Sequence, residues 1–180
     1  YNTTIGYQAL TSNTSGDFLC AMGYGALQNN NTAWYNVAVG FQAMKENLGG
    51  DENVAIGNNA MLSNTYGSNN VAIGYSALQV QGTGGFTNGG ASFNTENVAV
   101  GWSALYSNDP TGVGNGRQNV AIGSQALYTN TTGTENTAIG YWALISNTGA
   151  GVNNTAVGYQ ALMTNSTAIR NTAAGYNALA

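Results

Sequence analysis

The sequence predicts an all-β protein, a parallel β-solenoid or β-roll of ten coils with about 17 residues per coil. Three observations carry that prediction. The motif N-[VT]-A-[IV]-G-x-x-A-[LM] or a close variant of it returns ten times along 180 residues, as in "NVAVGFQAM" at Asn36, "NVAIGYSAL" at Asn70 and "NTAVGYQAL" at Asn154. Each copy holds two short β-type runs and two turns, too little to bury its own apolar side, so copies must stack on one another. The composition suits such stacking: three basic and seven acidic residues, 26 glycines, one proline, and 11 Tyr, 4 Phe and 3 Trp.

Aligned on the central glycine, the copies stand at Gly6, Gly23, Gly40, Gly57, Gly74, Gly101, Gly123, Gly140, Gly158 and Gly175. Their spacing is 17 or 18 residues except after Gly74 and Gly101, where it is 27 and 22. Four residues before the glycine stands Asn in nine copies, among them Asn36, Asn53, Asn70, Asn97, Asn119, Asn136, Asn154 and Asn171, with Leu19 the exception. Asn tolerates left-handed backbone at a turn, and stacked Asn side chains run hydrogen-bond ladders from coil to coil. The three residues that follow, such as Val71-Ala72-Ile73, place two branched side chains on one face and Ala on the other. Glycine next allows an unusual backbone or the close approach of a neighbouring coil.

An aromatic residue comes after the glycine in eight copies: Tyr7, Tyr24, Phe41, Tyr75, Trp102, Tyr141, Tyr159 and Tyr176. Ala and then Leu or Met follow in all ten. A second turn is signalled by Asn13, Asn30, Asn47, Asn64, Asn130, Asn147 and Asn165, often with a glycine three residues on. A helix is excluded, because Gly and Asn interrupt every candidate within about two turns. Ten coils at about 4.8 Å each give a rod on the order of 45 Å long.

This repeat resembles the head repeats of YadA-like trimeric autotransporter adhesins. In its Tyr-Gln form with an Asn/Thr/Gly-rich spacer it is also similar to repeats of bacteriophage tail fibres. The resemblance covers Asn2 to Leu179 and implies a left-handed roll in a parallel homotrimer. A physical argument points the same way, since a two-strand coil houses one apolar row and this unit carries apolar side chains on more than one face. Ile/Val and Leu are expected to fill the roll and the trimer seam, with the Asn columns at the corners.

Several function classes fall away. Three basic residues cannot neutralise enough phosphates to bind nucleic acid, and no apolar run approaches the roughly 18 residues of a membrane-inserted helix. With no His and the single Cys20, read as a small buried residue, there is no triad, disulfide or soft metal site, so no enzyme activity, cofactor or metal is expected. "GGDEN" at Gly49 lacks the Asp at every coil that calcium-binding rolls need, and reads as a solvated turn. "GVGNG" at Gly112 lacks the features of a phosphate loop. Sequons such as Asn2, Asn13 and Asn165 are expected by chance in so Asn/Thr-rich a chain. The aromatic column reads as coil-to-coil packing before it reads as a sugar-binding strip.

The chain is read as one repeat domain, 1–180, beginning inside a motif copy and so as a piece of something longer. Two insertions, 79–96 and 106–118, are placed as loops on consecutive coils, which should bring them together. Insertions of solenoids often line the binding face. Phe86, Asn88, Phe93, Asp109 and Arg117 are therefore the candidate ligand-binding residues. The expected function is a non-enzymatic, extracellular segment of a trimeric tail fibre on a virion, recognising a host cell-surface glycan or protein receptor. A bacterial surface adhesin head is the alternative. An ice-binding solenoid is disfavoured because Thr and Val alternate in one column (Thr3, Val37, Val71, Thr137).

Overall fold

The computed structural model describes residues 1–81, 92–108, 115–149 and 151–180, and it is all β, a single stack of coils. Ten three-residue strands form one parallel sheet in chain order: Thr3–Ile5, Cys20–Met22, Val37–Val39, Val54–Ile56, Val71–Ile73, Val98–Val100, Val120–Ile122, Thr137–Ile139, Thr155–Val157 and Thr172–Ala174. Pairing is in register throughout, so Ala38 faces Ala55 and Ala55 faces Ala72. In-register parallel stacking puts each motif position in a straight column, which is why the sequence repeats. The solenoid is thus the one the spacing predicts.

Of the two apolar columns expected to share the roll and the seam, Leu or Met lies inside and Ile/Val outside. From the second strand on, the middle Ala points inward and is buried, while the residues before and after it, mostly Val or Thr and Ile or Val, face outward. Opposite the strand, the second Ala and the Leu or Met of each motif complete the interior, with Leu27, Met44, Met61, Leu78, Leu105, Leu127 and Leu144 fully buried. Leu spans the narrow roll, so the wall it meets has space for a methyl group and not for Ile. The roll interior is therefore Ala and Leu or Met, and the branched column lies outside.

The side chains of the asparagines are buried inside the roll. Asn53 Nδ2 donates to Gly67 O at 2.9 Å, and Asn53 Oδ1 accepts the Asn70 backbone N–H at 2.9 Å. On the other side of the roll, Asn47 Nδ2 donates to Asn30 Oδ1 at 3.0 Å and to Gly50 O at 3.0 Å. Asn36 Nδ2 reaches the same Gly50 carbonyl at 2.8 Å, so the two ladders meet there. The ladders expected from the sequence are present. The left-handed backbone is not at these asparagines; beside the ladder of Asn36, Asn53 and Asn70 it lies one residue earlier, at Tyr35, Glu52 and Asn69. Buried amides in this role satisfy turn carbonyls that water cannot reach.

Both insertions are narrower than the sequence suggests. Val80–Gln81 still pairs with Ser63–Asn64 and with Ser107–Asn108, and Phe93–Asn94 already pairs with Gly67–Ser68. Gln81 and Asn108 stand in the second amide column, and Asn108 Nδ2 donates to Gln81 Oε1 at 2.7 Å, but Asn64 Oδ1 and Gln81 Nε2 are unpaired, so the ladder is interrupted between those two coils. Of the candidate binding residues, Phe86, Asn88 and Asp109 lie outside the described residues.

Candidate attachment surface

Three columns dominate one side of the rod. Val or Thr and then Ile or Val project from the ten-stranded sheet, and neither column carries a charged residue. Ile73, in the middle, keeps 38% of its surface exposed even with Ile56 and Val100 on either side of it. Cys20 stands in the Val/Thr column and is half-buried there. Beyond the glycine turn runs the aromatic column. Its rings stack along the rod: Tyr7 on Tyr24 at 5.5 Å, Tyr24 on Phe41 at 5.3 Å, Tyr141 on Tyr159 at 5.4 Å and Tyr159 on Tyr176 at 5.0 Å. In these runs ring faces meet ring faces, so the packing reading holds and the rings offer their edges to solvent.

A second aromatic stack stands outside the columns that the motif defines. Tyr1, Phe18 and Tyr35 pile up at 5.3 and 4.9 Å, nearly parallel, and Trp34 tilts against Phe18 and Tyr35. All four rings are exposed. Its signal in the sequence is the period itself, since positions 1, 18 and 35 are 17 residues apart. An alignment confined to the nine-residue motif misses it. From the fourth coil the column turns polar, with Glu52, Asn69, Glu96 and Gln118, and Gln118 Nε2 donates to Glu96 Oε2 at 2.9 Å.

The two candidate insertion residues within the described structure stand on consecutive coils. Phe93 is half-buried, and its N–H donates to Tyr66 O at 3.1 Å. Arg117 is exposed, and its carbonyl accepts the Glu135 N–H at 3.0 Å. Asp51, of the "GGDEN" turn, accepts from Trp34 N at 2.8 Å and Ser92 Oγ at 3.2 Å, so its carboxylate caps neighbouring turns. Among the described residues no group of three or more acidic, Cys or His side chains could hold a metal, and no helix is long and apolar enough to cross a membrane.

No family model, curated protein or solved structure matches the chain.

Proposed function

We propose that this chain is a non-enzymatic segment of a trimeric attachment fibre, of the kind found in bacteriophage tails. It presents a receptor-binding surface to a glycan or protein on a host cell outside the producing cell. The observation that carries the reading is the outward Ile/Val face. It runs the length of ten coils, roughly 45 Å by 12 Å and on the order of 500 Å², near the upper end of what a soluble monomer exposes. Two further copies of the same face, related by a threefold axis, would cover it. Symmetry then presents every surface feature three times, and weak contacts sum through effective concentration.

The experiment is binding of fluorescently labelled rods to intact bacterial cells, wild type against Ile73→Glu. A carboxylate at Ile73 would bring three negative charges together in a dry seam, a cost of several kcal/mol. The expected result is unchanged circular dichroism, dissociation to single chains and loss of cell binding as valency falls. Ile73→Glu rods that stay associated would overturn the placement of the seam, and wild-type rods that bind no cell surface in a panel of hosts would overturn the attachment role.

A further inference from the structure

The aromatic column has two vacancies, at Asn58 and Ser124, where the motif places rings elsewhere. At a vacancy the rings on either side are two coils apart, about 10 Å, twice the spacing of neighbouring strands. A ring set midway lies about 5 Å from each neighbour, the separation that ring pairs adopt. Each vacancy is thus a notch with the dimensions of one six-membered ring.

The protein fills one notch itself. Tyr141 has one face against Tyr159, and the Trp142 indole stacks on Tyr141 at 4.8 Å. Trp142 Nε1–H donates to Gln125 Oε1 at 2.6 Å, on the preceding coil beside Ser124. So the indole leans into the Ser124 notch, held by a ring face and by one amide acceptor.

The Asn58 notch has the same fittings without the occupant. Phe41 and Tyr75 flank it, 46% and 50% exposed, and Asn58 is exposed at its floor. Asn59 occupies the position equivalent to Gln125, and its Oδ1 has no hydrogen-bond partner. Ser76 stands where Trp142 stands in the filled notch. Asn59 Oδ1 is shielded from solvent, so a ligand hydroxyl reaches it only once the amide turns about its last, soft side-chain torsion.

We infer that the Asn58 notch binds a pyranose ring of a cell-surface glycan. A pyranose has apolar C–H faces for Phe41 and Tyr75 and a rim of hydroxyl groups that donate to Asn59 Oδ1 and exchange hydrogen bonds with the Asn58 amide. A purely aromatic ligand would satisfy the rings and leave both amides unpaired. The inference rests on the attachment reading, of which it names the ligand class.

Saturation-transfer NMR tests it, with methyl β-D-glucopyranoside, methyl β-D-galactopyranoside and N-acetyl-D-glucosamine as probes. The wild-type rod is expected to transfer saturation to the ring C–H protons of at least one of them. Asn58→Tyr completes the ring column, with a residue that six coils already hold there, and should abolish the transfer. Trp142→Ala empties the second notch and should raise the signal about twofold, two notches for one. Absence of transfer in the wild type overturns the inference. So does transfer that survives Asn58→Tyr, or a Trp142→Ala rod of unchanged circular dichroism that gains none. Cell binding by the same rods is scored separately: wild-type adsorption without sugar transfer removes the notch and leaves the attachment reading standing, whereas no adsorption removes that reading.

Discussion

Gly57→Ala is expected to break the rod between its fourth and fifth coils. Gly57 holds φ at +135°, a backbone that side-chain-bearing residues rarely adopt, and a Cβ there would lie against the Gly74 carbonyl, 2.7 Å from its carbon. The obstacle is backbone, so no side-chain rotation relieves it. Moving the two coils apart would sacrifice the Gly74 N–H bond to Ile56 O, 2.8 Å, and the Ser76 N–H bond to Asn58 O, 2.9 Å, and the register they fix. Backbone strain, overpacking and lost pairing together place the cost at about 4 kcal/mol or more, among the severe single substitutions. Hydrogen exchange should show protection lost in the strands Val54–Ile56 and Val71–Ile73, or the variant should fail to accumulate folded. Gly175 supplies the internal control. It shares the positive φ, +127°, but sits on the last coil with nothing within 4 Å of the added Cβ. Gly175→Ala should cost only the local backbone strain, about 1–2 kcal/mol. Equal effects at the two positions would show that stacking distance is not what the glycine column serves.

Asn47→Ala should be the next most damaging. The Asn47 side chain gives two donors, to Asn30 Oδ1 and Gly50 O, and its own Oδ1 accepts from Asn64 Nδ2 at 2.9 Å. All three asparagines are fully buried. Gly50 O retains Asn36 Nδ2, and Asn64 Nδ2 retains Gly67 O, but Asn30 Oδ1 is left buried with no donor. One orphaned acceptor and the net loss of the other bonds amount to about 3 kcal/mol. Asn13, half-buried on the first coil, also accepts a ladder bond from Asn30, yet water can replace it, so Asn13→Ala should cost about 1 kcal/mol. Urea unfolding of the two variants side by side measures the difference. A ladder of merely decorative amides would give two similar, small values.

Most of the architecture is legible in the repeat itself. In-register parallel pairing requires like residues in like columns, so a period of 17 already states coil length, strand position and stacking order. Inside and outside are harder. Ala72, Val71, Ile73 and Leu78 are all apolar, and periodicity alone does not say which pair faces the interior. The decision rests on Leu and Met standing in left-handed backbone, as at Leu27 with φ 49° and Met44 with φ 50°. That conformation usually belongs to Gly or Asn, and it costs about 1–2 kcal/mol at other residues. Burial of the long side chain and pairing of the coil on both sides hold it there, and such tertiary compensation leaves no mark in local sequence. For the same reason the asparagines are legible as ladders, while their placement as left-handed corners is not correct.

The surface is legible in part. The outward apolar stripe follows from counting apolar columns against the capacity of a narrow roll, and it exists. Of the insertion residues, Phe93 and Arg117 stand on neighbouring turns, as consecutive insertions require. The Tyr1, Phe18 and Tyr35 stack follows the period and not the motif, so an alignment on the motif passes over it. The vacancies at Asn58 and Ser124 are visible as exceptions in a column of rings. Only the three-dimensional arrangement shows that Trp142 fills one of them and that Asn59 leaves an acceptor unpaired beside the other.

Sedimentation equilibrium of the wild-type rod, over a range of concentrations at physiological salt, addresses the self-associating fibre most directly. The expected result is the mass of three 18.5 kDa chains, held down to the lowest concentration that can be measured. A single-chain mass across the whole range would contradict it, because the Ile/Val face would then be stable in water without a partner.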